Sequence, residues 1–157
     1  MLKRIFALIL SLSLLTACGT QGPAKNTTMV TNPFRNCETL QEAEDVVGFS
    51  LEIPEELAAC EKMIYRATNS DALTLLEVIF EQNGNEIRLR KSPGTEDNSG
   101  VYEEFEYSAE NEQGIVMKGS GEGYQLAIWQ DGEYSYSISC GKGVDFDTLY
   151  DWVCSTK

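Results

Sequence analysis

Apolar positions fall into three regimes along the chain. Ile5 to Leu15 is an apolar run, interrupted only by Ser11 and Ser13, preceded by Lys3 and Arg4. Further on, Leu40, Ala43 and Val47 recur at helical spacing, with Thr39-Leu40-Gln41-Glu42 in capping-box form and Gly48 placed as a stop, which predicts a helix over 39–47. From Leu51 onward the period becomes two and turn dipeptides recur. Near the end, Phe146, Leu149 and Val153 again fall at i, i+3 and i+7, with Asp145 as N-cap and Asp147 complementing the positive end of the dipole.

Asn83-Gly84 gives the sharpest hairpin signal, because a two-residue type I′ turn needs positive φ at both positions. Pairing outward sets Phe80 opposite Ile87 and Val78 opposite Leu89 on one face, with Glu77 opposite Arg90 on the other. Glu81 then faces Glu86, a like-charge pair beside the turn that solvent screens. A second hairpin at Asp131-Gly132 is expected to set Trp129 opposite Tyr134 and Ala127 opposite Tyr136, with Tyr124, Leu126 and Ile128 facing Ser135, Ser137 and Ser139. One face of this hairpin is aromatic. The other combines aliphatic residues with small serines, so the helices are expected there. Further strands fit Leu51 to Ile53, Lys62 to Ala67, Val101 to Ser108 and Gly114 to Lys118. The expected fold is α+β: a curved antiparallel sheet of six to seven strands with two helices packed on one face.

The N-terminal run is about eleven residues long, too short for a bilayer core that needs roughly twenty, and it reads as a signal peptide. It ends in Leu15-Thr16-Ala17-Cys18-Gly19, which resembles the bacterial lipobox, in which small residues before the cysteine suit a lipoprotein signal peptidase and the thiol receives diacylglycerol. The expected organisation is a lipoprotein signal peptide over 1–17, a lipidated Cys18 with a flexible tether over 18–33, and a single α+β domain over 34–157. Residues 19–32 are polar and aperiodic, with an r.m.s. span of roughly 20 Å. The expected location is the extracytoplasmic face of the cell membrane.

Charge sharpens this picture. Twelve basic and twenty-five acidic residues give a formal charge of −13; removal of 1–17 takes Lys3 and Arg4 and no acid, leaving ten basic against twenty-five acidic, or −15. Such a surface repels phosphate backbones, so no nucleic-acid partner is expected. Nor can attraction to anionic headgroups hold it, so acyl chains are the expected membrane contact, at about 0.8 kcal/mol per buried methylene. The sequence contains no histidine, which removes Ser-His-Asp and Cys-His catalysis and histidine zinc sites.

With Cys18 assigned to lipid, Cys37, Cys60, Cys140 and Cys154 form an even set in an exported chain, which favours two disulfides. Pairings of Cys37 with Cys60 and Cys140 with Cys154 are preferred because each brackets one helix-plus-loop segment. The alternative of Cys37 with Cys154 and Cys60 with Cys140 stays open, for geometry decides. No C-x-x-C pair occurs, so no metal and no cofactor are expected.

Three stretches, Thr39 to Leu57 (TLQEAEDVVGFSLEIPEEL), Arg90 to Phe105 (RKSPGTEDNSGVYEEF) and Leu126 to Ser139 (LAIWQDGEYSYSIS), resemble a family of uncharacterised extracytoplasmic domains. That family occurs in lipoproteins of Gram-positive bacteria, notably clostridia, and at the outer ends of anti-sigma-factor-like membrane proteins. The resemblance covers about residues 34–154. It implies a membrane-tethered, non-catalytic surface or sensor module and carries over no catalytic residue. The paired cysteines depart from the family pattern and read as local staples.

Candidate chemistry is sparse. The loop Gly94 to Gly100 offers oxygen donors but not EF-hand spacing, so a solvated loop is the better reading than calcium. Asp145, Asp147 and Asp151 are weaker still, because capping explains the first two. Trp129, Tyr134 and Tyr136 are the most informative side chains, forming either a core layer or a contact face for a partner or ligand. The leading expectation is a non-enzymatic interaction or sensing module with an extracytoplasmic protein partner. A small-molecule-binding lipoprotein using the aromatic face is the alternative. A carboxylate-dependent hydrolase built from Glu96, Asp97, Glu103 and Glu104 ranks last.

Overall fold

The computed structural model describes residues 32–121 and 123–157. The expected signal peptide, Cys18 and most of the expected tether lie outside the described residues. Asn32–Lys157 forms one compact unit, built in the order β1 (Arg35–Cys37), α1 (Leu40–Val47), α2 (Glu55–Ala58), β2 (Lys62–Asn69), β3 (Thr74–Gln82), β4 (Asn85–Pro93), β5 (Tyr107–Glu110), β6 (Val116–Ser120), β7 (Gly123–Asp131), β8 (Tyr134–Val144) and α3 (Phe146–Ser155). The fold is α+β. One open antiparallel sheet of eight strands has the order β1-β2-β3-β4-β8-β7-β6-β5, so two meanders meet at the β4–β8 pair.

Local signals place the long elements. Thr39 caps α1 by accepting from the Glu42 N–H at 3.2 Å, and Gly48 closes it in the left-handed region at φ 82°. Asp145 accepts from the Thr148 N–H at 2.9 Å to start α3. The β3–β4 register is the one read outward from Asn83-Gly84: Phe80↔Ile87, Val78↔Leu89, Glu77↔Arg90 and Glu81↔Glu86. Asn83 is the non-glycine residue with positive φ, at 52°, as that turn requires.

Four expectations need correction. The β7–β8 turn falls one residue later, on Gly132-Glu133, so Asp131 pairs with Tyr134, Trp129 with Tyr136 and Ala127 with Ile138. Gly132 has φ 60° and Glu133 has no positive φ, the pattern of a type II′ turn with glycine at its first central position. The slip moves each partner by two, so side chains keep their faces. Tyr124 departs further, because a register shift between it and Leu126 carries it to Val144. Residues 51–53 form no strand; Glu52 instead exchanges two backbone hydrogen bonds with Lys157, at 2.7 and 3.4 Å. Of the stretch 101–108, only its last two residues join a strand, β5.

The fourth correction concerns the layers. The helices cover the aromatic face, not the serine face. Ala43, Val47, Leu57, Leu149, Trp152 and Val153 share one buried cluster with Leu76, Val78, Phe80, Leu89, Ala127, Trp129, Tyr136 and Ile138. The serine row admits a close neighbour as expected, but that neighbour is the segment 94–106. Asn98 donates to the Ser135 carbonyl at 2.7 Å and to Ser92 Oγ at 2.9 Å, over buried Ser135 and Ser137.

Underneath that segment, the Glu77 carboxylate is fully buried and receives Arg66, Arg90 and, at 3.7 Å, Arg88. Arg90 also donates to the Asn98 carbonyl at 3.0 Å and to the Ser99 carbonyl. One side chain thereby pins the segment to the sheet.

Candidate functional site

Period-two alternation puts Lys91 on the same face as Ile87 and Leu89, under the helices, and it is 6% exposed. Across the β4–β8 pair it stands opposite Tyr136, with Tyr134 two residues along opposite Pro93. The Lys91 Nζ lies 4.6 Å from the Tyr134 ring centroid, 5.0 Å from that of Tyr136 and 5.7 Å from that of Phe49. It donates one hydrogen bond, 2.7 Å, to the Ser50 carbonyl. No carboxylate among the described residues lies within ion-pair distance of it. Ring faces and a carbonyl therefore do the work that a counter-ion does at most buried cations.

Burial lowers the Lys91 pKa below the ordinary lysine value, against the opposing pull of Tyr134, Asp131, Glu44 and Glu52. Burial likewise raises the Tyr136 phenol, with Asp131 adding to it. Lys91 sits in the floor of an open cavity of about 340 Å³. Tyr134 and Tyr136 form the rest of the floor, Ser50, Glu52 and Lys157 one wall, and Asp131, Gly132 and Glu133 the hairpin rim. The wall is fixed from two sides. Glu44 Oε1 accepts the Leu51 N–H at 2.8 Å, and the Glu52–Lys157 backbone exchange ties the end of α3 to it.

Of the aromatic trio expected on one face, Trp129 and Tyr136 stack at 5.2 Å with planes 10° apart and are both buried. Trp129 is core, so the contact surface reduces to half-buried Tyr134 and the edge of Tyr136. The acidic quartet is not brought to one place. Glu96 and Asp97 line a groove with Ser70 and Leu73, while Glu103 lines a separate cleft with Arg88 and Gln125; all four carboxylates are exposed.

Cys37, Cys60, Cys140 and Cys154 stand as free thiols in this structure. Cys37 stands opposite Tyr65 in β1–β2, whereas Cys60 precedes the strand start at Lys62. The three steps from Tyr65 to Lys62 already span about 10 Å, beyond the roughly 7 Å that a bridge permits. Cys140 is buried on the core face of β8. Cys154 is exposed, about 140° around α3 from Leu149, and a helix of about 10 Å diameter separates it from the sheet. Burial pushes the Cys140 thiol up to about 12, and burial raises Cys37 and Cys60 as well, so these thiols are protonated at neutral pH and chemically quiet.

Sequence reasoning passed over Lys91. The signal was present: a lysine in phase with Ile87 and Leu89, two residues from a strand end, opposite a tyrosine.

No family model matches the chain, and no curated protein or solved structure matches it.

Proposed function

We propose that this chain is a lipid-anchored extracytoplasmic module that works by binding, without catalysis, at the cavity over Lys91. The observation that carries the binding part is a nearly buried ammonium with no counter-ion among the described residues, facing an open cavity framed by aromatic rings. Burying a charge in that state is costly, and such groups concentrate at sites that meet ligands. The lipobox at 15–19, the polar tether and the acidic surface support the anchoring part. The mouth is small, which favours a small molecule over a protein partner.

Expression with its own leader in a bacterial host tests location. Wild type is expected in the membrane fraction, carrying diacylglycerol on Cys18 by mass spectrometry and open to added protease on cells stripped of wall. Cys18→Ser should be released or remain an unprocessed precursor. A wild-type chain found in the cytoplasm with Met1 retained would overturn the reading.

A further inference from the structure

We propose that the cavity over Lys91 takes a small zwitterion of ω-amino acid type, its carboxylate on the Lys91 ammonium and its own ammonium on Asp131 or Glu133. The inference rests on the reading of this mouth as the binding surface and adds the ligand's chemistry.

Lys91 Nζ carries three protons, and the Ser50 carbonyl takes one at 2.7 Å. Ring faces attract the charge but accept the remaining protons poorly, so donors are left for whatever enters the cavity. A carboxylate supplies both charge and acceptors.

The rim has the opposite sign. Asp131 and Glu133 are exposed and form no ion pair among the described residues, while Glu52 is already 3.8 Å from the Lys157 ammonium. A simple anion must pass two unpaired carboxylates, and a simple cation ends against Lys91. A molecule with both charges suits floor and rim together. Tyr134, directly opposite Asp131 in the β7–β8 pair and 4.6 Å from Lys91 Nζ, gives the methylenes between them an aromatic surface.

Spacing sets the length. Lys91 is on β4 and Asp131 on β7, with β8 between them, so the two backbones lie about 10 Å apart. Carboxylate and ammonium on one carbon would not bridge the two charges; several methylenes between them would.

Calorimetric titration of the full chain with glycine, 3-aminopropanoate, 4-aminobutanoate and 6-aminohexanoate, with butanoate and butylammonium as singly charged probes, tests this. Affinity should rise along the series. The best zwitterion should exceed glycine and both singly charged probes by about tenfold, the gain of one well-placed charge contact. Lys91→Met should remove the binding. Asp131→Asn with Glu133→Gln, both at exposed positions that leave the melting temperature unchanged, should reduce the zwitterion's advantage over butanoate to near one.

Equal affinity for butanoate and 4-aminobutanoate, lost in Lys91→Met, would overturn the zwitterion while leaving the mouth as a binding site. Binding that neither variant moves, or no binding by any probe, would overturn both. The anchoring reading depends on fractionation alone.

Discussion

The two faces of the sheet each bury a charge, and they stabilise it in opposite ways. On the loop-covered face, Glu77 is surrounded by Arg66, Arg88 and Arg90, and Arg90 also donates to backbone carbonyls of the segment 94–106. On the helix-covered face, Lys91 has no carboxylate within ion-pair distance among the described residues and leans on three rings and one carbonyl. The first arrangement is closed at its centre: the Glu77 carboxylate is fully buried among guanidiniums, and Arg90 holds a loop in place over it. The second is open toward a cavity. A buried charge with a full set of partners reads as architecture, and one with spare donors reads as a place where something else completes it.

The largest test of this contrast is Glu77→Gln. It keeps the shape but leaves guanidiniums facing one another beneath the loop, and should cost about 3–5 kcal/mol in urea unfolding. A cost near zero would break the contrast, for it would mean that water reaches the cluster. Next, Gly100 has φ 63° and a Cβ there would lie 2.5 Å from Arg90 Nη1. Gly100→Ala should cost about 2 kcal/mol, whereas Gly48→Ala, at φ 82° in open space, should show only the left-handed penalty of about 1 kcal/mol. Thermal melts would separate the two.

A pH titration probes the helix face. The unfolded Cys140 thiol ionises near its ordinary value of 9.0 and the folded one, pushed up by burial, only at about 12. The unfolded state therefore loses protons first, and stability should fall between these values, by about 1.4 kcal/mol per pH unit. Lys91, with its folded pKa lowered, works the other way just below the ordinary lysine value. Cys140→Ala should make the measured slope less negative by the Cys140 share; an unchanged slope would show that the thiol is not buried. The smallest effect belongs to Lys91→Met. Replacing a buried unpaired cation with an apolar chain of similar volume should leave stability within about 1 kcal/mol of wild type. The Ser50 carbonyl it releases belongs to an exposed residue that water can serve. A small change here beside a large one at Glu77 is the outcome that separates site from scaffold.

Where one or two residues decide a feature alone, the sequence announced it. Thr39 and Gly48 bound α1, Asp145 starts α3, and Asn83-Gly84 sets a whole strand register. Features that depend on tertiary partners were not legible. Strand β1 is three residues long and exists through pairing with β2, and α2 is one turn whose Leu57 is buried. The side on which the helices pack was misread because the serine row permits close approach by any backbone, and periodicity does not name which. Lys91 was half legible: its phase puts it inside, but that its neighbours are rings and a carbonyl follows only from the β4–β8 pairing and the path of residues 49–52.

The order of strands has a consequence for assembly in time. The strands of 35–93 and of 107–144 each form a four-stranded meander, and within the sheet the two are joined at the β4–β8 pair. Between Pro93 and Tyr134 lie forty residues that must be delivered, on export as on synthesis, before β8 can pair with β4. Throughout that interval β4, with Ile87 and Leu89 on its inner face, presents a row of unsatisfied backbone groups. A nascent chain halted there offers a docking edge to the β8 of any other copy. Its characteristic misassembly is reciprocal exchange of the second meander between two molecules, with 94–106 as the hinge, and the Arg90 clasp on that segment favours the single-chain product once β8 arrives.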